Sequence, residues 1–203
     1  MKTDYFAHKA GSYEQSKNRV DNVANIADTI RAHVDLNRGM HIMDFGSGTG
    51  LLLERIAPHV GKITAVDISS SMNAQLREKL PRLACEVDIV ELDLEEHTLD
   101  QRFDGIISSM AMHHVRDIGK MLRKFHAMLN KGGFIAIADL DSEDGSFHNE
   151  GTEGVFHHGF DRAEIAALAT QAGFTAVSTV SASVIQKPPR DFGIFLLTGL
   201  RPD

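Results

Sequence analysis

Residues 42–50 read Ile-Met-Asp-Phe-Gly-Ser-Gly-Thr-Gly: an apolar run ends on Asp44, glycines alternate at Gly46, Gly48 and Gly50, and a helical pattern starts at Leu51. Glycines at a strand-to-helix turn let backbone approach a ligand, because no Cβ stands in the way. A second strand-end acid, Asp67 in Ile-Thr-Ala-Val-Asp, follows at about the spacing that places a carboxylate on ribose hydroxyls. It can also serve as a helix N-cap, since Ser69 to Ser71 follow it. Together these residues suit a ligand that carries a nucleoside. A different chemistry gathers further along. His113-His114 follow one apolar run, Asp139-Leu-Asp141-Ser-Glu-Asp144-Gly-Ser-Phe-His148 follow the next, and His157-His158-Gly-Phe160 precede a last helical pattern, so that five of the 11 histidines fall in three short segments. Histidine exchanges protons near neutral pH, which makes His114, His148, His157 and His158 candidate catalytic bases, with Asp139 or Asp141 orienting one of them. The bland alternatives are ordinary polar loop histidines, or a zinc-type site built from the same His and Asp groups, although no H-x-x-x-H pair is present.

The spacing narrows the ligand. A dinucleotide loop reads G-x-G-x-x-G and rests a pyrophosphate on a helix N-terminus. Here the spacing is G-x-G-x-G, and Asp44 stands two residues before the first glycine, where it repels a pyrophosphate and suits a cation. The segment Asp44-Phe-Gly-Ser-Gly-Thr-Gly50 resembles the first motif of the class I S-adenosylmethionine-dependent methyltransferases, small-molecule type. Asp67-Ile-Ser-Ser-Ser-Met72 resembles their second motif, Glu91-Leu-Asp93-Leu94 their third, Ser108-Ser-Met-Ala-Met-His-His114 the segment after strand four, and Asn130-Lys-Gly-Gly133 the turn into strand five. The resemblance spans about residues 5–200 with the motifs in order. It implies S-adenosylmethionine as cofactor, held by Tyr13, Asp44, Gly46, Ser47, Gly48, Thr49, Gly50, Asp67, Ile68, Met72, Asp93, Leu94 and Ser109. Asp93 would contact the adenine amino group, or else belong to a solvated acidic loop, Glu91 to Glu96. Tyr5, Lys9 and Tyr13 resemble the leading segment that folds over the cofactor; the plain alternative is a frayed terminus.

These residues need a scaffold. Ser16–Val34 carries Val20, Val23, Ala27, Ile30 and Val34 on one helical stripe. Strands are expected over 40–45, 62–67, 85–92, 103–109 and 133–140, with helices over 51–57, 70–80 and 118–129; Pro58 and Pro81 sit where two of these should stop. A further helix, 161–172, has Asp161 as N-cap and Gly173 as its stop. Such alternation argues a parallel sheet covered on both faces. Strands over 174–185 and 192–200, with Gln-Lys-Pro-Pro-Arg-Asp between them and no helix, argue an antiparallel hairpin at the sheet end. The expected fold is therefore an α/β Rossmann-like three-layer sandwich with a seven-stranded, mostly parallel sheet. In it, residues 1–203 form one domain, 1–36 cover the cofactor and 141–160 form a substrate-side loop.

Composition bounds the function. The chain has 203 residues, 42% hydrophobic and 24% charged, which is ordinary for a globular domain. A net charge of −7 without a visible basic patch argues against a nucleic-acid partner; the stretch Lys120 to Lys131 reads as a solvated helix face. No apolar run reaches the roughly 18 residues of a membrane span. Met-Lys-Thr-Asp-Tyr-Phe lacks a signal-peptide core, and the single Cys85, expected in a buried strand, suits a reducing cytoplasm.

The family's patterns also exclude acceptors. DNA amino-methyltransferases carry an Asn- or Asp-Pro-Pro-aromatic segment where this chain has Ser-Ser-Met-Ala; Cys85 is not in the Pro-Cys setting of cytosine carbon methylation; arsenic methylation needs several thiols. What remains is a small-molecule methyl acceptor, handled by a monomer or homodimer. Two other readings stay open: a nicotinamide-dependent oxidoreductase, and a module that binds S-adenosylmethionine without transferring the methyl.

Overall fold

The computed structural model describes residues 4, 7, 9–148 and 153–203. Strands β1 (His41–Phe45), β2 (Lys62–Asp67), β3 (Glu86–Glu91), β4 (Phe103–Ser109), β5 (Leu129–Leu140), β6 (Thr175–Lys187) and β7 (Arg190–Leu200) form a seven-stranded sheet of order β3-β2-β1-β4-β5-β7-β6. The first five pair with one another in parallel, and β7 runs antiparallel to both β5 and β6. The strand order reverses beside β1, between β2 and β4. The carboxyl ends of β1 and β4 therefore open onto one crevice, where open α/β sheets bind ligands.

Period-two alternation builds the two faces. Ile42, Ile107, Ala136, Ala138 and Leu196 join one core; Met43, Ile106, Ile135, Ile137 and Leu197 join the other. The first core is closed by α1 (Lys17–His33) and α2 (Leu51–Ile56), through Val23, Ile26, Ile30, Leu53 and Ile56. The second is closed by α4 (Ile118–Met128) and α5 (Arg162–Gln171), through Met121, Leu122, Phe125, Ile165 and Ala169. Helix α3 (Ser70–Lys79) contributes Leu76 to the first. Helix starts are capped as their sequences require: Ser69 Oγ accepts from Met72 N, Asp117 from Lys120 N, and Asp161 from Ala163 N and Glu164 N. Pro58 and Pro81 lie in short 3₁₀ turns that follow α2 and α3.

Three expectations are adjusted. Cys85 is half-buried just before β3, an edge strand, and so is not the buried strand residue expected. β5 starts at Leu129, with a register shift against β4 absorbing the glycine pair. The β6–β7 hairpin extends to Lys187 and Arg190, leaving Pro188-Pro189 as its turn. Among the described residues no helix is long and apolar enough to cross a membrane.

Candidate functional site

A cavity of about 610 Å³ lies over the carboxyl ends of β1, β2 and β4. Its floor is the glycine loop. Gly46, Gly48 and Gly50 all take positive φ (69°, 53° and 83°), a region that favours glycine. A Cβ built on Gly46 would fall inside Ala111, so the loop packs directly against the segment after β4, whereas one built on Gly48 meets no protein atom. Gly50 does not line the cavity; it precedes α2, and a Cβ there would strike Leu76. Every other expected cofactor residue does line it: Tyr13, Asp44, Gly46, Ser47, Gly48, Thr49, Asp67, Ile68, Met72, Asp93, Leu94 and Ser109.

The two strand-end acids differ in how they are held. Asp67 accepts from Gly48 N and Ser69 N, both at 2.8 Å, so its carboxylate ties the end of β2 to the glycine loop. It is not the cap of α3, a role that Ser69 takes. Burial raises its pKa, and these two N–H groups offset part of the rise. Asp44 is 1% exposed and its Oδ2 has no partner. Burial, with the charge of Asp67 added, pushes its carboxyl well above the ordinary range. Ser47 Oγ, Thr49 Oγ1 and Ser109 Oγ are likewise buried without partners. Polar atoms this buried are normally satisfied, so a ring of orphans around one cavity marks where a polar ligand completes the structure. Two buried carboxyls beside that ring suit a ligand with positive charge and hydroxyl donors better than a pyrophosphate.

Asp44 carries a pH prediction. A carboxyl whose folded pKa lies above its unfolded value stabilises the fold at low pH and loses that contribution as pH rises toward the folded value. The melting temperature of the ligand-free protein should therefore fall, relative to an Asp44→Asn variant, from about pH 4 upward. Parallel melting curves for the two proteins between pH 4.5 and 8 would remove this account of Asp44.

The histidines sort themselves around the far end of the cavity. His113, His114 and His148 line it. Their rings cluster, with centroids 4.2 Å apart for His113–His114 and 5.0 Å for His113–His148. His114 Nδ1 donates to the Gly154 carbonyl at 2.7 Å, and burial first, then His113, lowers its pKa to about 4. His148 is lowered to about 4 for the same two leading reasons. Candidates His157 and His158 stand outside the cavity. His157 Nε2 donates to the Val115 carbonyl at 2.9 Å, fastening the loop to the segment after β4; the His158 side chain is 61% exposed beside Glu143. Asp141 orients no histidine: Arg162 Nε and Nη2 hold both its oxygens, at 2.6 and 2.7 Å. Asp139 does orient one, but it is His113, which was not among the candidate bases. Among the described residues no three His, Cys, Asp or Glu side chains are grouped as a metal site needs.

Other lining residues come from distant parts of the chain. Asn22 of α1 is 4% exposed with Oδ1 unpartnered, and Arg19 donates to the Tyr13 carbonyl while its guanidinium lies 4.0 Å from the Tyr13 ring centroid. Burial raises the pKa of Tyr13. Tyr5 lies outside the described residues, as do residues 149–152 of the substrate-side loop. Lys9, Phe147, Glu153 and Lys187 complete the rim. Met110 adopts φ 58°, a strained conformation for a non-glycine residue, and turns the chain from β4 into the histidine segment. The one sequence signal for Asn22 is a polar residue beside an otherwise apolar helical stripe.

Comparison with known proteins gives a family and a fold. A family model described as a methyltransferase domain matches residues 16–179. An uncharacterised methyltransferase of Schizosaccharomyces pombe is 30% identical over 136 residues, which is 60% of this chain and 48% of that protein, so the match spans about half of the relative. Among solved structures, a chain from the complex between the Haloferax volcanii Trm112 methyltransferase activator and a methyltransferase superposes with TM-score 0.81 at 19% identity, covering 100% of both chains. The N-methyltransferase NodS of Bradyrhizobium japonicum, in complex with S-adenosyl-L-homocysteine, gives 0.73 at 14%, covering 99% of this chain and 100% of that one. At these identities the two structures testify to the fold. The family match covers most of the chain, glycine loop and histidine segment included, and this protein belongs to the methyltransferase-domain family.

Proposed function

We propose that the protein is one S-adenosylmethionine-binding domain that methylates a small-molecule acceptor. The observation that carries the reading is the glycine-floored cavity with Asp44 and Asp67 at its end and orphaned hydroxyls around it. Asp67 would take the ribose hydroxyls, Asp44 the ammonium, and Asp93 with Leu94 the adenine edge. S-adenosylmethionine supplies a methyl group already activated on a sulfonium. The chain's share is then to hold donor and acceptor in line and to exclude water, which is where most of the rate gain of such a displacement lies. NodS, a protein of the same fold, was solved with S-adenosyl-L-homocysteine, which supports the cofactor. A carboxylate placed where a pyrophosphate would rest, together with the family, speaks against the nicotinamide alternative.

The acceptor would enter at the histidine-lined end, under Phe147, His148 and Glu153 from residues 141–160 and beside Lys9 from the N-terminal segment. A volume of about 610 Å³ lies within the range of small-ligand sites, and the net charge of −7 gives a polyanion little to bind.

Calorimetric titration with S-adenosyl-L-homocysteine tests the cofactor. We expect micromolar binding that Asp67→Ala weakens by at least about tenfold, the loss of a charged hydrogen-bond acceptor at a buried ribose. Absence of binding to the folded wild-type protein would sink the reading. Transfer of labelled methyl groups to a metabolite extract then separates an enzyme from a module that only binds.

A further inference from the structure

Three imidazoles meet at the acceptor end of the cavity, and one of them is built differently. His113 Nδ1 donates to Asp139 Oδ1 at 2.7 Å, and the two side chains are 2% and 0% exposed. Asp139 is itself fixed, because its oxygens accept from the backbone of Leu140 at 2.7 Å and of His113 at 3.1 Å. Burial alone would raise the Asp139 pKa; His113 and these N–H groups hold it below the ordinary value, so the carboxylate is charged. An ionised carboxylate on Nδ1–H leaves the lone pair of a neutral ring on Nε2. His114 gives its Nδ1–H to a neutral carbonyl, and His148 Nε2 is buried without a partner. A proton arriving on His113 is therefore stabilised by a contacting carboxylate.

We propose that His113, positioned by Asp139, is the group that takes the acceptor's proton during methyl transfer. The inference rests on the cofactor reading above. In the step, the acceptor atom gains the methyl group as the carbon–sulfur bond breaks with its electron pair left on sulfur. The acceptor's proton passes to His113 Nε2. The positive charge on sulfur is thereby replaced by one on the imidazole, and the cavity, with Asp44, Asp67 and Asp139 around it, keeps the same total charge. Among the described residues, the other charged and titratable groups facing this end are His114 from the same turn, His148 and Glu153 from the loop, Lys9 from the N-terminal segment and Lys187 from the end of β6. None of them donates to or accepts from Nδ1 of His113, which Asp139 occupies.

The exchange of charge can be read without knowing the acceptor. The protein, with its histidine rings labelled with ¹⁵N, is loaded with S-adenosylmethionine or with S-adenosyl-L-homocysteine, which differ by one methyl group and one positive charge. Ring nitrogen shifts are followed from pH 5.5 to 8.5, with a His113→Asn variant to assign the signal. A unit charge in a shared, poorly solvated cavity alters a proton equilibrium by about tenfold or more. We expect the ratio of protonated to neutral His113 at a given pH to be at least about tenfold higher in the homocysteine complex, and Asp139→Asn to lower that ratio in both complexes. The His114 and His148 rings should stay neutral throughout. If both ligands bind and His113 has the same protonation in the two complexes, whether neutral or charged, the proposal is overturned. If neither ligand binds, the cofactor reading has failed and this one with it.

Discussion

A Gly48→Val variant folds, melting within about 8 °C of the parent, and loses S-adenosyl-L-homocysteine binding by at least about 100-fold. The two parts of this expectation have separate causes. Gly48 has φ 53°, and a β-branched residue there costs roughly 1–2 kcal/mol of backbone strain. A Cβ at this position meets no protein atom within 4 Å, so the branch point itself adds no clash. Gly48 nevertheless lines the cavity, and a valine side chain there occupies ligand space on the floor of the site. Gly46→Val serves as the contrast. Its Cβ would overlap Ala111, and both the loop and the segment after β4 would have to move, so fold and binding should fail together. Melting curves and calorimetry on the two variants decide the matter. A Gly48→Val protein that binds as the parent does would show that the glycine loop is only a turn.

Phe125→Ala is the second large effect, and it acts from beneath the site. Phe125 is fully buried on α4, in the core shared by α5 and one face of the sheet. Its ring meets Phe45 edge-on, with centroids 5.2 Å apart, and Phe45 lines the cavity one residue before the glycine loop. Truncating a buried phenylalanine costs about 3–5 kcal/mol in lost burial and cavity formation. In a chain of this size that lowers the melting temperature by roughly 6–20 °C. Removing the ring also frees Phe45, so binding at a temperature where the variant is folded should weaken several-fold. A loss below about 1 kcal/mol in denaturant titration would mean that α4 repacks and that the loop does not depend on it.

The parts of this protein that follow from neighbouring residues were legible in its sequence. Alternation of period two and stripes of period 3.6 marked strands and helices, since which face a side chain takes depends only on its own segment. Asp161 and Gly173 announced the ends of α5, because a cap bonds within three residues. The glycine loop was readable for the same reason: positive φ is a property of single residues. What the sequence left open lies in pairings across the sheet. Asp139 and Asp141 looked equivalent, two positions apart at the end of one strand. The parallel register of β4 and β5, with Ser109 opposite Ala138, sets the turn carrying His113 against Asp139, while Arg162 at the start of α5 claims Asp141. His157 and His158 share a loop with His148, yet only His148 reaches the cavity, because His157 is fastened to Val115. Asn22 and Lys187 reach the same cavity from α1 and the end of β6 through the packing of that helix on that strand. Local residues thus determined the glycine loop on the cavity floor, and strand register and helix docking decided which acid and which imidazole meet there. Those contacts join residues far apart in the chain, and no local period encodes them.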